Sequence, residues 1–130
     1  MPRGHQSRLE GLARGSAAAE FVMIATLGVL TVLGILQLAF VYYVRNTLTD
    51  AASEGARFAA LADNSPTRGV ERTQELIRAA LGVDYAEHIE ANQTEDEVEV
   101  RVHASMPVIG LFGIPHSLEV RGHAVREAVP

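Results

Sequence analysis

Hydrophobic and polar positions follow three different rules along this chain, and each rule predicts a different element. Phe21–Val44 (FVMIATLGVLTVLGILQLAFVYYV) is a run of 24 residues without a charge. At about 1.5 Å per residue, a helix of that length covers roughly 36 Å, enough to cross a hydrocarbon core of about 30 Å with some tilt. The pattern predicts a membrane span. Arg45–Ala62 contains no proline and mostly good helix formers, with Gly55 as its weak point, so the helix is expected to continue over about residues 16–62. Along its outer half, Ala51, Gly55 and Ala59 form one diagonal of small residues, and Ala52, Ala56 and Ala60 form a second. Small residues at that spacing admit close approach of another backbone, either the chain's own small domain or a second helix.

Asp63-Asn64-Ser65-Pro66 ends the long helix and starts another, with Ser65 as the expected N-cap and Pro66 at the first helical position. Val70, Thr73, Leu76, Ile77, Ala80 and Leu81 then share one face, and Gly82 follows as a stop, which describes a short amphipathic helix. From Val98 the period changes to two. Val98, Val100, Val102 and Ala104 alternate with Glu97, Glu99, Arg101 and His103, and Leu118, Val120, Gly122 and Ala124 alternate with Glu119, Arg121 and His123. Met106–Pro115 is apolar but bounded by Pro and punctuated by Gly110 and Gly113, so it is expected to connect the two strands. A weaker extended stretch near Glu87–Ala91 supplies a third strand, about the minimum for a stable small sheet. The fold class is α+β: a single-pass membrane protein with a long N-terminal helix, a short amphipathic helix and a small antiparallel sheet. Its expected organisation is a leader at 1–15, the long helix at 16–62 with its span at 21–44, and an extracytoplasmic domain at 63–130.

Charge divides the chain in the same places. Residues before the span carry Arg3, Arg8 and Arg14 against Glu10 and Glu20, whereas Arg45 onward carries eight Arg against fourteen Asp and Glu. An acidic outer part makes nucleic acid an unsuitable partner. The three leading arginines favour an N-terminus in the cytoplasm and a C-terminal domain outside, with membrane lipid as the first partner. Met1–Gly15 has no apolar periodicity and is expected to be a flexible leader. A cleaved secretory signal shares the basic start, but its apolar region takes only about 7–15 residues, and no small-residue cleavage site closely follows this run. With no cysteine, disulfides and thiol chemistry drop out.

Arg14-Gly15-Ser16-Ala17-Ala18-Ala19-Glu20-Phe21 resembles the processing site of type IV prepilins, in particular the TadE-like pseudopilins of the tight-adherence (Tad, or Flp) pilus apparatus. Asp50–Ala60 (DAASEGARFAA) resembles the Ala-rich segment that follows the span in that family. The resemblance implies that a prepilin peptidase cuts between Gly15 and Ser16, leaving Glu20 as the fifth residue of the mature chain. It further implies partners among other pilin-like subunits and Tad assembly proteins, and a role in pilus assembly or a related secretion machine. A major Flp pilin is little more than its helix, so an outer domain of this size points to a minor or accessory subunit.

Physical chemistry gives the candidate residues their roles. Cleavage would create an amine at Ser16, cationic near neutral pH, and a Glu20 drawn into a bundle would need such a cation, since an unpaired charge in the bilayer costs at least about 2.5 kcal/mol. Gln37, the one strongly polar side chain in the run, is a candidate for an interhelical hydrogen bond worth roughly 1 kcal/mol. Tyr42 and Tyr43 suit an interfacial belt. His103 and His123 lie on polar strand faces beside Arg101 and Arg121, a poor setting for a metal, so no metal, cofactor or catalytic residue is expected. The alternative to a filament protein is a membrane-tethered binding or adhesion module whose sheet recognises an external ligand.

Overall fold

The long helix α1 runs Arg3–Ala60 and spans 58 residues in the computed structural model, which describes residues 3–61, 63–86, 88–106 and 116–127. Its start differs from the expected one near residue 16, because the leader is helical from Arg3 rather than flexible. Once the apolar run has formed a helix, each further turn needs no new nucleus, and Gln6, Arg8, Leu9, Leu12 and Ala13 are all good helix formers. Gly4, Gly11 and Gly15 each cost roughly 1 kcal/mol relative to Ala in helix propensity.

The chain divides into two units, Met1–Phe40 and Val41–Pro130. In the first, large apolar side chains point outward all round the helix: Phe21 is 71% exposed, Leu27 66% and Leu36 59%. The hydroxyls of Thr26 and Thr31 donate to the carbonyls of Val22 and Leu27, at 2.7 and 2.8 Å, and so present no unpaired polar group. The helix itself satisfies their hydrogen-bonding capacity.

The second unit is a helix pair on a three-stranded sheet. The 16-residue helix α2 (Pro66–Leu81) follows α1, then a short 3-10 turn at Val83–Tyr85, then strands β1 (His88–Gln93), β2 (Glu97–Met106) and β3 (His116–Val125). The sheet is an antiparallel meander in the order β1-β2-β3. Its third strand is the weak extended stretch, shifted by two residues at its C-terminal end, and the expected connection begins after Met106. The rest of that connection, 107–115, lies outside the described residues.

At the α1–α2 junction, the Asn64 side-chain amide donates to the Phe58 carbonyl at 2.8 Å, which also accepts the Leu61 N–H at 3.4 Å near the helix end. Ser65 stands at the N-cap of α2 with extended backbone, but its hydroxyl makes no capping bond, so Pro66 alone supplies the start signal there. Gly82 closes α2 at φ 98°, a left-handed conformation that favours glycine.

The core of this unit joins one stripe of α1 to one face of α2 and the inner face of the sheet. Val44, Leu48, Ala51, Ala52 and Ala56 pack with Ile77, Val100, Val102, Ala104 and Val120, all buried. Ala59 and Ala60 pack with Val98. On α2 the buried positions are Gly69, Thr73 and Ile77, while Val70 is half-buried and Ala80 exposed. The face is thus rotated toward Gly69, because that glycine lets α2 approach α1.

Candidate processing and assembly site

Gly15, Ser16 and Glu20 are all exposed on α1, and a Cβ added at Gly15 would meet nothing within 4 Å. Ser16 and Glu20 lie four residues apart, hence on the same side of the helix, one turn from each other. The backbone around Gly15 is helical, so the peptide bond to Ser16 is engaged in α1 rather than held extended.

The two diagonals of small residues have a definite place. Ala51, Ala52, Gly55, Ala56, Ala59 and Ala60 are all buried in the second unit. A Cβ at Gly55 would lie 1.8 Å from the Thr73 hydroxyl and 2.7 Å from the Gly69 carbonyl oxygen, and one at Gly69 would lie 2.6 Å from the Ala59 Cβ. Backbone therefore meets backbone where α1 crosses α2. The Thr73 hydroxyl, fully buried, is satisfied by donating to the Gly69 carbonyl at 2.8 Å. On the other flank, a Cβ at Gly122 would lie 2.3 Å from the Ala52 carbonyl carbon and the Ser53 nitrogen. Of the two uses open to these diagonals, the structure shows packing on the chain's own domain. Sequence reasoning missed Gly69 as a contact residue; a glycine inside an otherwise good amphipathic helix was the available signal.

Gln37 is half-buried, and Tyr42 and Tyr43 are exposed. His103 and His123 do not face each other: His103 Nδ1 lies 3.7 Å from Glu119, and His123 Nδ1 lies 2.9 Å from Glu97 and 3.6 Å from Glu99. Among the described residues, no group of three or more His, Asp or Glu side chains is placed to hold a metal ion. The outer sheet face is a lattice of opposite charges instead. Arg101 stands directly opposite Arg121, a repulsive cross-strand pair, and each arginine is neutralised along its own strand, Arg101 by Glu99 and Arg121 by Glu119. Hydrogen bonds from those guanidinium groups hold the Glu99 and Glu119 carboxyls below the ordinary carboxylate range.

A long helix exposing apolar side chains on every side, continued into a small α+β domain, defines a protein compatible with a single-pass membrane anchor; among the described residues α1 alone is long and apolar enough to cross a bilayer. The family model described as TadE-like protein matches residues 15–57. Over that stretch the chain is similar to TadE-like proteins. The match opens on Gly15, takes in Glu20 and the apolar run, and closes on Arg57 within the buried small-residue segment. No curated protein and no solved structure matches the chain.

Proposed function

We propose that this protein is a TadE-like minor pilin or pseudopilin. A prepilin peptidase removes its leader between Gly15 and Ser16, and the remaining chain takes part in assembling a Tad-type pilus or related secretion machine. The observation that carries this reading is a coincidence of position: the TadE-like stretch begins at Gly15, an exposed glycine five residues before Glu20, at the head of an apolar helix exposed on all sides. In this reading the leader lies in the cytoplasm, the span in the cell membrane and Val41 onward outside it.

The helical state of Gly15 has a mechanical consequence. A peptidase reaches the bond to Ser16 only after a turn of α1 opens, and glycine lowers that cost by about 1 kcal/mol relative to alanine. Cleavage would then leave the Ser16 amine one turn from Glu20, as an internal or intersubunit partner for the carboxylate once water is excluded. Glu20→Ala is expected to leave membrane insertion intact and to impair association with partner pilins.

The direct test is the mass of the chain purified from cells with and without a prepilin peptidase. A start at Ser16 that requires the peptidase supports the proposal, and a chain that still begins at Met1 in its presence contradicts it. The second outcome would favour the tethered binding module.

A further inference from the structure

We propose that the two outer strands of the sheet are complementary to each other across copies, so that β3 of one molecule pairs in parallel with β1 of the next and the domains add side by side in the membrane. Among the described residues both edges are open: β1 and β3 are the outer strands, and no backbone hydrogen bond reaches the outer side of either. Such an edge is a template for strand addition unless something blocks it.

Direction selects the partner edge. Gly122 meets Ala52 and the Glu127 backbone N–H donates to the Ala60 carbonyl at 3.0 Å, so β3 and the outer half of α1 run the same way. Antiparallel pairing of β3 with the β3 of a second copy would reverse that copy's Val41–Ala60 segment, whereas chains that all enter their domains at Val41 from one membrane favour parallel pairing. Since β1 and β3 are each antiparallel to β2, they are parallel to each other. A sideways translation therefore brings β3 against β1 of the next copy with every Val41–Ala60 segment running the same way.

Charge then selects the register. Across the outer face the rows read His88, His103, Glu119; then Glu90, Arg101, Arg121; then Asn92, Glu99, His123. Translation without any shift along the strands places Glu119 beside His88 of the next copy, and Arg121 beside Glu90 of the next copy. Among the described residues Glu90 makes no side-chain hydrogen bond or close ion pair, only a longer-range attraction to Arg101 opposite it, and Arg121 would add Glu90 of the next copy to the Glu119 it already pairs with. On the inner face the same register sets Val120 beside Ile89 and Gly122 beside Ala91, apolar against apolar. The contact is head-to-tail, so it propagates rather than closing on a pair.

The chain has no cysteine, which makes the test clean. Asn92 and His123 would be neighbours across the new contact, but within one chain β2 lies between them, about 10 Å from strand to strand, beyond the reach of a disulfide. The full-length N92C/H123C chain in native membranes, under copper-catalysed air oxidation, is expected to give a ladder of dimers, trimers and larger species. Neither single-cysteine chain should cross-link to itself, and mixing the two should stop at dimers. Glu90→Arg or Arg121→Glu added to the N92C/H123C background should each cut the ladder by about two- to fivefold, the size of a cross-strand charge effect, and combining both should restore it. A double-cysteine chain that stays monomeric, dimers from either single cysteine, or a ladder indifferent to the charge reversals would overturn the pairing. The inference rests on membrane anchorage and not on leader removal, so it is tested on chains whose N-terminus is read in parallel, and the ladder is expected whether they begin at Met1 or Ser16.

Discussion

The two parts of α1 on either side of Phe40 are both rich in apolar residues and helical throughout, yet they solve opposite problems. Phe21–Phe40 carries large side chains in every direction and exposes them; Val41–Ala60 keeps a single stripe, Val44 and Leu48 followed by small residues, and buries it. A helix apolar all round needs an apolar solvent, and at about 1.5 Å per residue this one matches a hydrocarbon core of about 30 Å without the last four residues of the run. Val44 belongs to the domain core instead. Hydrophobicity alone therefore does not divide this helix; its distribution around the axis does.

Glycine substitutions should separate the two parts most sharply. Gly122→Val sets a side chain against the backbone of Ala52 and Ser53, which cannot move without displacing α1, and should cost the domain about 3 kcal/mol or more, read as a fall in its thermal midpoint. The matching changes Gly28→Val and Gly34→Val meet nothing within 4 Å and should leave that midpoint unchanged. Truncation gives the next contrast. Leu48→Ala or Ile77→Ala, at fully buried positions, should lower domain stability by about 2–5 kcal/mol in denaturant titration, whereas Leu36→Ala, at an exposed position, should not register there.

Acid should distinguish the parts by charge. Glu99 and Glu119 have lowered carboxyl pKa values in the folded domain, so below the ordinary range the unfolded chain binds more protons than the folded one. The stability they contribute is complete above about pH 4.5 and is lost as pH falls through their folded values. The double variant Glu99→Gln with Glu119→Gln should flatten that acid slope in a pH series of unfolding curves. Phe21–Phe40 contains no ionisable side chain, so its protection should not follow the slope. The smallest effect is expected at Ser65, whose hydroxyl caps nothing: Ser65→Ala should change stability by less than about 0.5 kcal/mol.

Much of this division is legible in the sequence. The uncharged run, the change to a period of two at Val98 and the Pro66 and Gly82 punctuation each reflect local rules, and α2 and the strands formed close to where those rules placed them. Gly15, Ser16 and Glu20 are candidates through the resemblance of Arg14–Phe21 to a prepilin processing site, and that role stays a proposal. What escaped was long-range. Gly69 and Gly122 look like flaws in a helix and a strand until Gly55 and Ala52 arrive from another part of the chain to occupy the space. The helical leader escaped for a related reason, because its few apolar residues show no period while its neighbour's stability extends the helix into it.

Cysteine labelling along α1 tests the central claim most directly, that one helix serves lipid with its first part and a protein core with its second. Single cysteines replacing Leu27, Leu33 or Leu36 should resist a membrane-impermeant maleimide in intact membranes, both before and after urea. Cysteines replacing Ala52 or Ala56 should resist it at first and react once urea unfolds the domain, while one replacing the exposed Asp50 should react from the start. Prompt labelling at 27, 33 and 36 in intact membranes would contradict the account.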